Sequence, residues 1–264
     1  MRSTGITRCV VNGTSPHDWP QVNSLAQQHP DLIIPSYGLH PWKTPCHSDW
    51  KPLLREYLEK SETPCIGECG LDRWMPDYDI PAQEDAFIHQ LNLACELNAP
   101  ITIHILKAWG WFTDILRSRI ANPHPSQSPF PQRGFLLHSY NGSADLIPEL
   151  VDAGAYFSFS GYYLTNIKYK QLETFTRIPS KRLLIETDAP DMLPPEQIIT
   201  HPLTSTSSSG SKNHPINHPI NHPANLASIH HHLAQKLDLS PPELQTQLTE
   251  NFSRFFLSKS PSPS

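Results

Sequence analysis

Short runs of apolar residues, rich in β-branched and aromatic side chains, punctuate the chain. They are CVVNG (9–13), LIIPSYGLHP (32–41), PCIGECGLD (64–72), APITIHI (99–105), GFLLHSY (134–140), AYFSFSG (155–161) and LLIETDAP (183–190). Gly, Pro, Asn or Asp flank most of them, which marks strands rather than helical segments. The runs are nearly continuous rather than alternating, the pattern of strands covered on both faces. Between them the period changes. Pro81–Asn98 places Phe87, Leu91, Ala94 and Cys95 at helical spacing, and Ala144–Ala153 does the same with Leu146, Ile147 and Leu150. Strands alternating with helices predict a parallel sheet.

Polar side chains fall at one end of these runs. Six of the seven carry a hydroxyl, an imidazole or a carboxylate at or near the C-terminal end: His40, Glu68 with Asp72, His104, His138, Ser160 and Asp188. In a (β/α)8 barrel the strand C-termini converge on one face, so this placement would collect three imidazoles and several carboxylates in one mouth. The expected fold class is therefore α/β, a TIM (β/α)8-type barrel in which seven strands are recognisable and the first is missing. The opening STGITR reads as the end of a first helix leading into CVVNG. Imidazole nitrogen and carboxylate oxygen suit divalent cations, and burying such charges side by side without a cation costs several kcal/mol each, roughly. The inventory predicts a metal site and a hydrolytic reaction.

Outside the barrel pattern, NPHPSQSPFPQR (122–133) reads as a proline-rich loop. The stretch at about 203–223 runs from a Ser/Thr tract into the tandem units NHPI, NHPI and NHPA, and is expected to be a low-complexity surface insertion. Helices are expected at Ala224–Leu237 and from about Pro241 to Leu257. Residues 1–264 then form one domain, with a disordered tail at about 258–264.

Composition narrows the function. With 20 Lys and Arg against 25 Asp and Glu, the net charge of −5 argues against a protein that coats long nucleic acid. Five cysteines without a CxxC pair, and no leader of secretory type, point to a reducing, cytoplasmic setting. No apolar run is long enough to cross a membrane. His230, His231 and His232 point in different directions on one helix and are expected at the surface. Cys69 should face away from Glu68 and is not read as a nucleophile.

Taken in order, GLHPW (38–42), IGECGLD (66–72), ITIH (101–104), LLHSYNG (136–142), IETDAP (185–190), NHPANL (221–226) and ENFSRFF (250–256) resemble the TatD family of metal-dependent deoxyribonucleases. The resemblance implies a divalent-metal centre (Zn, Mg or Mn, one or two ions per chain) and hydrolysis of phosphodiester bonds in nucleic acid, DNA first of all. Carried over by position, Glu68 corresponds to the shared carboxylate ligand, and His104 and His138 to imidazole ligands of one metal. Asp188 corresponds to the ligand of the other metal that orients or deprotonates the attacking water. His40 corresponds to a histidine lining the substrate mouth. Glu186, two residues before Asp188, is expected one layer deeper on the same strand face, and Lys107 is the nearest partner for a phosphate. The chain departs from the family pattern twice: Leu106 stands where an arginine is usual, and no HxH strand occurs, the only close-set histidines outside the repeat being the adjacent His230–His232 near the other end. The second departure predicts reduced two-metal occupancy. The alternatives are hydrolysis of a small-molecule ester, lactone or amide, or a weakly active relic. Lys43, Arg73, Lys107 and Lys168 are the cations near the motifs.

Overall fold

All seven apolar runs form strands in the computed structural model, which describes residues 1–123, 128–207 and 216–257. They are β1 (Cys9–Asn12), β2 (Ile33–Ser36), β3 (Ile66–Asp72), β4 (Ile101–Leu106), β5 (Phe135–Leu137), β6 (Ala155–Ser160) and β7 (Leu183–Glu186). β1 pairs parallel with β2, and β3 to β7 pair parallel in sequence order, with a bridge from Tyr37 to Ile66 joining the two sets. No ladder pairs β1 with β7 among the described residues. Helices α1 (Trp19–Gln28), α2 (Trp50–Glu59), α3 (Ile80–Leu97), α4 (Trp109–Ala121), α5 (Ile147–Asp152) and α6 (Tyr169–Phe175) fill the connections. This is the alternation of a TIM-type barrel.

Strand periodicity sorts the side chains into layers. One set, including Ile101, Ile103, Phe135, Leu137, Phe157, Phe159 and Leu183, lies in the main core with Phe87, Leu91 and Phe112 of the helices. The opposite set begins with an apolar layer: Ile34, Leu136, Tyr156 and Leu184 meet Phe255 and Phe256. Two residues further along those strands stand Ser36, His138, Ser158 and Glu186. The barrel interior therefore changes from hydrocarbon to polar within one pleat repeat, and that change creates the site.

α3 is held at both ends by its own sequence. Asp79 accepts the Ala82 N–H at the N-terminus, and Asn98 closes the C-terminus in the left-handed conformation, φ 45°. After β7 the chain forms a hairpin of β8 (Leu203–Ser207) and β9 (Ile216–Ile220), then α7 (Leu226–Lys236) and α8 (Pro241–Phe252). A Ser240–Glu243 capping box starts α8.

Several elements differ from the sequence expectation. The STGITR segment contains a single 3-10 turn, Arg2–Thr4, ended by Gly5 at φ 81°. The last helix stops at Phe252 and continues as a π turn, Ser253–Leu257, which turns Phe255 and Phe256 inward. The segment read as an insertion is not all surface: Asn221 is buried, as are Ala224 and Asn225 directly after it. Asn221 donates to the carbonyls of Thr187 and Met192, and its N–H bonds Pro190 O, so the third NHP unit ties down the loop after β7. Residues 124–127 of the proline-rich loop, residues 208–215 of the tract and the tail at 258–264 lie outside the described residues.

Candidate metal centre

The cluster is built around one carboxylate oxygen. Oε1 of Glu68 lies 3.2 Å from His104 Nδ1, 3.3 Å from His138 Nε2 and 3.6 Å from His40 Nε2. A shift of register between Ile66 and Cys69 of β3 sets Glu68 in a bulge, the device that re-aims a strand side chain. The backbone there is crowded. A Cβ on Gly38 would meet Glu68 O at 2.7 Å, so the GLHP loop can approach the bulge only because that position is glycine. Gly70, at φ 147°, likewise lets β3 pass against the carbonyl of His104.

Each imidazole is oriented by its second nitrogen. Asp72 Oδ2 contacts His104 Nε2 at 2.8 Å and accepts Trp42 Nε1–H at 2.7 Å. An ionised carboxylate only accepts, so His104 donates from Nε2 and turns Nδ1 towards Glu68. Glu186 does the same for His138 through Nδ1, at 3.1 Å, and turns Nε2 towards Glu68 and Asp188. Its two oxygens also take the Ser139 N–H and the hydroxyls of Ser139 and Ser158. His40 is arranged in the opposite sense. Its Nδ1 accepts the Trp42 N–H, so in the neutral ring Nε2 carries the proton and points it towards Glu68.

Charge follows burial and neighbours. Burial opposes ionisation of Glu68, but His138, His104 and His40 outweigh it and hold its carboxyl well below the usual range. Burial would also lower His138, yet Glu186, Glu68 and Asp188 raise it well above an ordinary histidine. Asp188 is pushed up to about 7, first by burial and then by Glu186 and Glu68 against the pull of His138. Burial leaves His40 lowered. Four carboxylates thus surround two imidazoles whose inward nitrogens face another acceptor.

That donor set fits a divalent cation. Two groups of potential ligands share Glu68: His40, Glu68 and His104, and Glu68, His138 and Asp188. Asn12 Oδ1, in β1, is a further buried acceptor with no hydrogen-bond partner among the described residues. Lys107 is exposed directly after β4, its backbone at φ 54°, outside this cluster of short contacts. The five cysteines are free, and burial raises Cys69 and holds Cys65 at about 12, so neither thiol is poised to react.

Three further residues position the site: Asp72, which the sequence placed at a strand end without a specific role, and Gln83 and Gln90, which it did not single out. Asp72 is fully buried beneath Trp42 and His104. Gln83 of α3 grips its backbone, accepting from Asp72 N at 2.8 Å and donating to Asp72 O at 2.9 Å. Gln90, two helical turns on, does the same for Leu39, the residue before His40. The readable signal was two glutamines seven apart on a helix face otherwise made of Ala86, Phe87, Leu91 and Ala94.

A parallel α/β barrel with imidazoles and carboxylates gathered at its strand ends defines a metal-dependent hydrolase. Residues 1–257 match the family described as TatD related DNase, and the chain belongs to it. It is 32% identical over 200 residues to the 3'-5' ssDNA/RNA exonuclease TatD of Edwardsiella piscicida, covering 73% of this chain and 72% of that protein. The Salmonella typhimurium protein of the same name is 32% identical over 198 residues, covering 73% of this chain and 71% of the relative. Among solved structures, the TatD homologue YJJV of Escherichia coli superposes with a TM-score of 0.77 at 22% identity, covering 97% of this chain and 88% of that one. A TatD family hydrolase of Entamoeba histolytica gives 0.75 at 17% identity, covering 97% and 86%. No helix among the described residues is long and apolar enough to cross a membrane.

Proposed function

We propose that this chain is a divalent-metal-dependent nuclease that hydrolyses phosphodiester bonds of single-stranded nucleic acid, DNA foremost. The observation that carries the reading is the convergence of His104 Nδ1 and His138 Nε2 on one oxygen of Glu68, each turned inward by a carboxylate behind it. The names of the TatD relatives supply the substrate class.

Glu68, His104, His138 and Asp188 would hold the metal, with Glu68 shared between two positions. A bound divalent ion would polarise a phosphoryl oxygen and lower the pKa of water so that hydroxide forms near neutral pH. Asp188 is the carboxylate placed to orient the attacking water or take its proton. His40 offers a proton-bearing Nε2 beside Glu68, suited to donate to a non-bridging phosphate oxygen rather than to ligate. Lys107 stands at the end of β4 as the cation for a flanking phosphate.

The test is release of nucleotides from single-stranded DNA and RNA by the purified chain supplied with Zn, Mg or Mn. Activity should disappear with chelator and with Glu68→Ala. Turnover indifferent to both would overturn this site as the centre of the reaction.

A further inference from the structure

Two tryptophans lie exposed against the metal-facing imidazoles, where apolar surface is costly unless something covers it. Trp42 is 47% exposed and Trp74 is 53% exposed. Their ring centroids are 6.0 Å apart, with the planes tilted by 34°. Trp42 also sits edge-on to His40, centroids 5.1 Å apart, and lies 6.2 Å from His104. The pair therefore extends the floor of the site outward as one aromatic surface.

A single carboxylate fixes that surface relative to the reaction centre. Asp72 Oδ2 accepts from Trp42 Nε1 and contacts His104, while Oδ1 accepts the backbone N–H of Trp74. The Trp42 indole cannot drift far without disturbing the carboxylate that orients His104, and the backbone of Trp74 is fixed to the same carboxylate. Two exposed cations flank the rings in sequence: Lys43 follows Trp42, and Arg73 precedes Trp74. Arg73 rests over the Trp111 ring at 5.4 Å.

We infer that Trp42 and Trp74 form a stacking platform for a nucleobase next to the scissile phosphate, and that this platform gives the site its preference for unpaired strands. The inference rests on the nuclease reading above and names the part of the substrate that these residues take. A base has an accessible π-face only when it is unpaired or at an end, and indoles accept any base because stacking does not read the hydrogen-bonding edge. The two rings are too close to admit a base between them, since a sandwich needs roughly 7 Å, twice the ~3.5 Å contact distance. The base therefore lies on the outer face, with Lys43 and Arg73 placed for the phosphates on either side. Glycan stacking, the other common use of exposed tryptophan, gives no reason for the cations.

The experiment compares binding of the full chain to a short phosphorothioate oligothymidylate and to an abasic chain of equal length, which keeps sugar and backbone but has no bases. Wild type should bind the oligothymidylate about tenfold more tightly than the abasic chain. Trp74→Ala should bring that ratio close to one, and Trp74→Tyr should restore most of it. Because the Trp74 side chain is exposed and its bond to Asp72 uses the backbone, these variants should fold. Trp42→Phe keeps a ring but loses the indole N–H, so it should preserve most of the ratio while lowering kcat. Equal binding of both chains by wild type, alongside metal-dependent cleavage, would overturn the platform and leave the nuclease reading standing. A ratio unmoved by Trp74→Ala would do the same. A wild type that binds neither chain and, supplied with metal, does not cleave unmodified oligothymidylate would remove the nuclease reading and the platform with it.

Discussion

Asp72 and His104 meet through Oδ2 and Nε2 at 2.8 Å, and this contact decides which nitrogen of His104 faces Glu68. Both Asp72 oxygens are in use, Oδ2 by His104 and Trp42 and Oδ1 by the backbone N–H groups of Trp74 and Met75. Asp72→Asn replaces one acceptor with an amide donor, which then faces either His104 and Trp42 or the backbone N–H groups of Trp74 and Met75. Loss of such a carboxylate behind a metal-binding histidine typically lowers metal affinity or activity by about 10- to 100-fold. We expect Asp72→Asn to fall in that range in metal titration of the purified protein, while the far-UV circular dichroism stays that of the wild type. Unchanged affinity would mean that the ring is oriented by something else.

Glu186 plays the matching part for His138 and carries more of the fold. It accepts from His138, from the Ser139 N–H and from two serine hydroxyls in the polar layer of the barrel. Glu186→Ala strands these donors in a buried place, at a cost of about 1–3 kcal/mol for an unsatisfied group. Glu186→Gln keeps an acceptor oxygen and should lie between alanine and wild type. Urea unfolding of the three proteins should show that order, and equal midpoints would contradict it.

Metal held at the proposed site should stabilise the fold as well as permit chemistry, because the candidate ligands lie on β3 and β4 and just after β5 and β7. An ion at about 100 times its Kd adds roughly 2.7 kcal/mol through linkage, which for a chain of this size corresponds to roughly 5 °C in Tm. Calorimetry with divalent ion against chelator should show a rise of that order in the wild type and little response in Glu68→Ala. Identical transitions in both conditions would mean that no ion is held between these strands.

The strands were legible because burial on both faces demands continuous apolar runs, and the site was legible because its side chains sit where those runs turn polar. Strand period put Glu186 one layer below Asp188, but β7 ends at Glu186 and Asp188 lies beyond it at φ 56°, where that period no longer applies. Other features follow no period. The Leu203–Ser207 and Ile216–Ile220 strands are rich in Ser, Thr, His and Pro and carry no alternation, so they read as a tract. Asn221 opens a unit with the same first three residues as those that open at Asn213 and Asn217, so its role is not written in the repeat. Its bonds to Thr187 and Met192, and those of Asn225 to Thr200 and His201, are tertiary contacts that no sequence period announces. The position of Glu68 depended on a bulge, which changes register without changing hydrophobicity. Tautomer choice at His40 and His104 depended on partners from the Trp42 backbone and Asp72, and spacing does not reveal these.

Gln83 provides a way to test whether the helical layer positions the site. It lies on the buried face of α3 and makes paired bonds to the backbone N–H and carbonyl of Asp72, at 2.8 and 2.9 Å. Leucine would fill much of the same space and favour the helix, so on burial and propensity alone Gln83→Leu should be neutral or stabilising. The bonds argue the opposite. Leucine leaves both backbone groups of Asp72 without their partner in a closed region, and the penalty of about 1–3 kcal/mol for a stranded buried group exceeds what the added hydrocarbon returns there. The loss should also reach the chemistry, since Asp72 holds His104 and Trp42 through its side chain. We expect Gln83→Leu to lower the urea midpoint and to reduce kcat by about tenfold, with a smaller change in KM. A leucine variant as stable and as active as the wild type would show that β3 holds Asp72 in place without the helix.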